Sequence, residues 1–75
     1  MILPTKHISL NQSLIGLGAL LLKKLDRPRT VSGLWRKVRL IPEVGTFQRF
    51  VISLDFLYAL GLIQFRNGLL NRRAV

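Results

Sequence analysis

The chain has 75 residues, which is enough for a single domain with a small core. It contains no cysteine, which excludes disulfides and thiolate metal sites, and its hydrophobic content of 49% excludes a disordered chain. Its 12 lysines and arginines outnumber its 3 acidic residues, giving a net charge of +9. Such a surface attracts nucleic acid, anionic lipid or an acidic protein, although net charge also serves simply to keep a small protein soluble.

The first third of the sequence predicts an arm followed by an apolar helix. Residues 1–10 predict an extended N-terminal arm, and the helix is expected from about Gln12 to Leu25. Its core face is predicted to comprise Leu14, Leu17, Gly18, Leu21 and Leu25. A second apolar strip beside that face comprises Ile15, Ala19 and Leu22. A helix that is apolar on nearly all sides is usually buried on more than one side, so this strip is a candidate protein interface.

No membrane span is expected from the sequence. The longest uncharged run, residues 8–22, is shorter than the ~20 apolar residues that a spanning helix needs, and polar residues interrupt it. Lys23 and Lys24 follow where a signal peptide would carry a cleavage site. The sequence therefore predicts a cytoplasmic protein that does not act at a membrane.

Two shorter helices are predicted next. Residues 26–29 break the first helix, and Thr30 caps the second, whose apolar positions are Val31, Leu34, Trp35 and Val38. Thr46 is expected to cap a third helix, Phe47 to Leu60, which Gly61 ends. The predicted core stripe of this third helix comprises Phe47, Phe50, Val51, Leu54, Leu57 and Tyr58. Trp35 is expected to be a core residue, not a platform on which bases stack.

The C-terminal segment predicts a β-hairpin. Asn67-Gly68 lies between two β-competent runs, and this pair is the preferred two-residue hairpin loop. Three helices followed by a hairpin predict a winged helix-turn-helix, mainly α with a small β-hairpin, as one domain over residues 1–75. The alternative is a helical hairpin module that folds only inside a larger complex.

The sequence offers no group of residues suited to catalysis. Its carboxylates are Asp26, Glu43 and Asp55, and none pairs with another at a useful spacing. His7 follows Lys6, where a lone histidine is more often a surface residue than a ligand, and the glycines form no phosphate-binding loop. We therefore expect no enzyme, no metal site and no cofactor.

The outer side of the third helix is unusual for a helix that reads DNA. It is predicted to carry Gln48, Arg49, Ile52, Asp55, Phe56 and Ala59. Only Gln48 and Arg49 resemble base readers, and Asp55 would repel phosphate. Ile52 and Phe56 are neighbours on the helix surface, which favours a protein contact. In the alternative interpretation the hairpin wraps over this pair and makes it part of the core.

Basic residues mark a second candidate surface, which would contact nucleic acid or an acidic protein. They are Arg27, Arg29, Arg36, Lys37, Arg39, Arg49, Arg66, Arg72 and Arg73. A solvated face with no ligand is the other interpretation of this set.

Three stretches resemble a known family, the type-six middle component of ABC-three-component systems, which are bacterial antiphage systems related to Lamassu. The stretches are MILPTKHI at residues 1–8, LIGLGALLLKKLDRPRTVSGLW at residues 14–35 and FQRFVISLDFLYALGLIQFRNGLLNR at residues 47–72. The segments ILPTKHI and LDRPRTVSGLW are the more specific ones. The resemblance marks no residue as functional, and the arginines after the hairpin match nothing in the family pattern.

The resemblance implies a small non-catalytic adaptor that links an ABC- or SMC-like ATPase subunit to an effector subunit, often a nuclease, within a defence complex. DNA held by that complex would be contacted without sequence preference. Two other functions remain open at this point. One is a winged-helix DNA-binding transcriptional regulator, and the other is a general nucleic-acid-binding module inside a larger assembly.

Overall fold

A computed structural model describes the backbone of residues 4–73 and the side chains of residues 14–73. Its elements, in chain order, are α1 (Pro4–Lys24), α2 (Val31–Val38), α3 (Phe47–Ala59), β1 (Ile63–Arg66) and β2 (Leu69–Arg72). This confirms the predicted order of three helices and a C-terminal hairpin, hereafter the wing, and it is consistent with a winged-helix layout. No helix within the described residues is both long enough and apolar enough to span a membrane.

The N-terminal arm is where the structure departs most from the prediction. Helix α1 begins at Pro4, so the expectation of an extended arm through residue 10 is wrong for residues 4–10, and residues 1–3 lie outside the described part. Proline is favoured in the first turn of a helix because its missing N–H would have no intrahelical partner there. Pro4 therefore fits a helix start, although an isolated proline in a sequence also suits an extended segment.

Local capping rules account for the ends of α2 and α3. The hydroxyl of Thr30 accepts a hydrogen bond from the Gly33 N–H at 2.9 Å, and that of Thr46 accepts one from the Arg49 N–H at 3.1 Å. At the other end of α3, Gly61 has φ +75°. The Leu62 N–H then donates to the Leu57 carbonyl at 3.0 Å, which closes a Schellman motif and turns the chain into the wing.

The wing turns at the residues that the sequence predicted. Asn67 and Gly68 have φ of 55° and 77°, and they connect antiparallel strands in which Phe65 pairs with Leu70. A third extended segment, which the sequence analysis did not predict, joins the wing. Arg29 forms an antiparallel bridge with Leu70, with N···O distances of 3.1 and 2.6 Å. The wing is therefore bonded to the segment between α1 and α2.

The core lies where the three helices and the wing meet. Its fully buried side chains include Leu21, Leu34, Val38 and Phe50, and Val44 from the turn before α3 joins them. The predicted core stripe of α3 is wrong at both ends, because Phe47 is 49% exposed and Tyr58 is 62% exposed. The buried arc of α3 consists of Phe50, Ser53, Leu54 and Leu57. The stripe is displaced because α3 buries the side that packs on α1, with Ser53 at one edge of that arc.

Candidate protein interface

Helices α1 and α3 make their close approach at Gly18, which is buried. A Cβ placed on Gly18 would lie 3.1 Å from Leu57 Cδ2 and 3.9 Å from Phe56 Cδ2. The neighbours of Gly18 are side chains of α3, whereas Gly16 is exposed and a Cβ placed there would have nothing within 4 Å. The approach at Gly18 brings Phe56 against α1.

The contact at Gly18 joins the two apolar strips that the sequence singled out. Ile15 is 59% exposed, Ala19 is exposed, and Ile52 is 44% exposed. Phe56 is half-buried, and Leu22 is half-buried against the core. We call this set the α1–α3 surface, comprising Ile15, Ala19, Leu22, Ile52 and Phe56. Ile52 is exposed, so the interpretation in which it belongs to the core is wrong for that residue, and Phe56 packs against α1 at Gly18.

The aromatic residues near the start of α3 form a cluster. The Trp35 ring lies 5.1 Å from the Phe47 ring, edge to face, and 5.2 Å from the Phe50 ring. Trp35 is half-buried and packs against the core, which confirms the expectation that it is a core residue. The cluster fixes the position of α2 relative to α3.

The side of α3 that would read bases is poorly equipped for that role. Gln48 is exposed, but Arg49 is occupied within the protein: its Nε donates to the Val44 carbonyl at 3.2 Å and its Nη2 to the Glu43 carbonyl at 3.1 Å. Asp55 is exposed on the same helix. Only Gln48 is left as a free base reader, which favours protein contact over base contact for α3.

The basic residues fall into two groups. Asp26 accepts from Arg29 at 3.0 Å and lies 3.6 Å from Lys37 Nζ, so these two cations are partly neutralised. The others, apart from Arg49, are exposed on the α1–α2 turn, α2 and the wing: Arg27, Arg36, Arg39, Arg66, Arg72 and Arg73. The prediction that they face DNA or an acidic protein stays a prediction.

The Asp26 cluster has a pH-dependent consequence. The hydrogen bond from Arg29, together with the nearby charge of Lys37, holds the pKa of Asp26 below its ordinary value of 3.8. Its stabilisation is therefore fully present above pH 3.8 and is lost as the pH falls through the lowered pKa.

Replacing Asp26 with asparagine should lower the melting temperature slightly at pH 7, because solvent screens this exposed cluster, and should have no effect once the carboxylate is protonated. Thermal melts from pH 7 to about pH 2 test this. Asp55→Asn is the matched control, since no described side chain forms an ion pair with Asp55. Equal pH profiles for the two variants would contradict the role given to Asp26.

The acidic residues do not come together. Asp26 lies in the turn after α1, Glu43 in the turn before α3 and Asp55 within α3. Among the described residues no three acidic, histidine or cysteine side chains are placed to hold a metal ion, and the side chain of His7 lies outside them.

Sequence reasoning missed an apolar cleft between α3 and the wing, which Tyr58 and Phe65 border. The sequence feature that could have indicated this cleft is Phe65, a bulky apolar residue in β1 that precedes Arg66 near the turn of the wing.

These features define a mainly helical protein, consistent with a winged-helix layout, that exposes apolar side chains on α1, on α3 and on the wing. The model of one family, described as ABC-three component (ABC-3C) system Middle Component 6, matches residues 3–73. The chain belongs to that family and is thus a component of a system of several parts. No curated protein and no solved structure matches it.

Proposed function

We propose that this protein is a non-catalytic adaptor of a bacterial antiphage complex, in which it links an ABC- or SMC-like ATPase subunit to an effector subunit, often a nuclease. The proposed setting is the cytoplasm, where such a complex meets foreign DNA. The observation that carries the proposal is the α1–α3 surface on a middle component. An adaptor requires surfaces for other subunits, and uncovered apolar side chains grouped on one side of a small domain are typical of such surfaces.

Two further observations support the adaptor. Arg49 is bonded to the turn before α3, and Ile52 occupies the middle of the helix that would otherwise read DNA. The three carboxylates are dispersed over two turns and a helix, which is unsuited to hydrolytic chemistry. Binding without catalysis is the function that this set of side chains supports best.

The test is capture of the partner subunits by this chain. The tagged chain is co-expressed with the ATPase and effector proteins encoded by the neighbouring genes, and each is sought in the eluate. We expect both to be retained in fixed proportion. Retention of neither, from cells in which all three are soluble, would contradict the adaptor role.

The second candidate function, a sequence-specific regulator, predicts different behaviour toward DNA. The exposed arginines on α2 and the wing favour binding to phosphates, whereas α3 offers only Gln48 as a free base reader. We therefore expect the isolated chain to bind duplex DNA weakly, without sequence preference, and with an affinity that falls steeply with salt.

A titration on random and selected duplexes at several salt concentrations measures this. Arg36→Ala with Arg39→Ala should reduce the slope of log K against log salt by about 0.9 for each phosphate contact removed. A preferred site bound at least ~10³-fold better than random DNA at physiological salt would replace the adaptor with the regulator.

A further inference from the structure

The second apolar surface of the molecule is the α3–wing cleft, which encloses about 220 Å³. Val51, Asp55 and Tyr58 line it from α3, and Ile63, Phe65 and Leu70 line it from the wing. Ile63 and Leu70 are buried, while Tyr58 and Phe65 are 62% and 57% exposed. The cleft thus has an apolar floor between two aromatic side chains.

The two walls of the α3–wing cleft are held in place by backbone bonds. The Schellman motif at Gly61 fixes the angle between α3 and β1, and the bridge from Arg29 to Leu70 ties β2 to the segment before α2. A cleft whose walls are bonded in this way loses little conformational entropy when it is filled. The site is therefore formed before its occupant binds.

Charge identifies the occupant of the cleft. Asp55 is the one charged residue among those that line it, and no described side chain forms an ion pair with Asp55, although the chain carries a net charge of +9. An apolar lining with a free carboxylate at its edge repels phosphate and acidic peptides. It is complementary to a bulky apolar side chain that has a lysine or arginine beside it.

The position of the cleft on α3 gives it a use distinct from that of the α1–α3 surface. At 3.6 residues per turn, the residues of α3 that line the cleft lie on average roughly 130° around the helix axis from Ile52 and Phe56. The two apolar surfaces therefore flank α3 on different sides, so separate partners can occupy them at the same time.

We propose that the α3–wing cleft docks a short segment of one partner subunit, with a bulky apolar side chain in the cleft and a neighbouring lysine or arginine paired with Asp55. This rests on the proposed adaptor function, which it deepens: a linker of two subunits needs two surfaces, and the cleft is the second one.

The test uses the tagged full chain co-expressed with the ATPase and effector subunits. Asp55→Lys reverses the charge at the edge of the cleft, and Phe65→Asp places a charge on an exposed wall. We expect each variant to reduce the retention of one partner at least tenfold (~1.4 kcal/mol) while the other partner is retained through the α1–α3 surface. Glu43→Lys is the matched control, because it makes the same charge change at an exposed site outside the cleft. It should retain both partners.

The outcomes separate the two proposals. If the unmodified chain retains both partners and so do the Asp55→Lys and Phe65→Asp variants, the cleft is empty in the complex and the docking proposal is wrong while the adaptor survives. If the unmodified chain retains neither, both proposals fall. Circular dichroism shows whether each variant is folded. If the Phe65→Asp variant is unfolded, the capture result for Asp55→Lys is the one that tests the proposal. Stronger DNA binding by Asp55→Lys with unchanged assembly would assign the cleft to nucleic acid and overturn the proposal.

Discussion

Replacing Phe50 with alanine should leave the isolated chain largely unfolded at room temperature. Phe50 is fully buried and packs against the Trp35 ring at 5.2 Å between centroids. Truncating a buried phenylalanine costs about 3–5 kcal/mol, and a core of this size rarely supplies more than about 3–5 kcal/mol of net stability. The loss therefore equals most of the free energy of unfolding. Trp35 is the single tryptophan, so its fluorescence reports the cluster directly during urea unfolding.

Phe47 provides the matched control for that experiment. It belongs to the same cluster, 5.8 Å from the Phe50 ring, but it is 49% exposed. Phe47→Ala removes the same atoms from a half-solvated position and should cost about 1–2 kcal/mol. Equal urea midpoints for the two variants would contradict the placement of the core.

Ile52→Asp should release the partner that covers the α1–α3 surface without unfolding the chain. Ile52 is 44% exposed, so a carboxylate there is solvated in the free protein, but in a complex that covers the α1–α3 surface it would be buried without a partner. Disruption at the centre of an interface costs ~2 kcal/mol or more, which is about a 30-fold loss of affinity. Capture of the partner subunits and a thermal melt of the free variant measure the two halves of this prediction.

Two other variants are compared with Ile52→Asp, one as a control and one as a second change on the same surface. Leu40→Asp makes the same chemical change at a site that is 81% exposed and lies outside the α1–α3 surface, so assembly should survive it. Phe56→Asp is less informative because the Phe56 ring already packs against α1 at Gly18, and its loss should destabilise the fold as well. Unchanged assembly with Ile52→Asp would show that the α1–α3 surface does not bind a partner subunit.

Short-range signals made much of this fold predictable. Thr30 and Thr46 cap helices, Gly61 ends α3, and Asn67-Gly68 turns the wing, because each depends only on residues within about four positions along the chain. The start of α1 was not predictable in this way, since Pro4 suits both a first helical turn and an extended arm.

Tertiary contacts decided what the sequence could not. Periodicity placed Tyr58 and Phe47 in the core, but the packing of α1 at Gly18 rotates the buried arc of α3 toward Ser53 and leaves both aromatic side chains exposed. Arg49 resembled a base reader because helical periodicity places it on the outer side of α3. The carbonyl groups that it binds lie in the turn before α3, and helical periodicity does not predict the geometry of that turn. The sequence predicted the apolar strip on α1 and the apolar pair on α3 separately. It did not predict that they lie side by side at Gly18.

The measurement that tests the adaptor role most directly is omission of this chain from the complex. The ATPase subunit is tagged, and the effector is co-expressed with it in the presence and absence of this protein. The account predicts that the effector is recovered with the ATPase only when this chain is present, and that the Ile52→Asp variant does not replace it. Equal recovery of the effector without the chain would show that the two subunits join by themselves, and the linking role would be wrong.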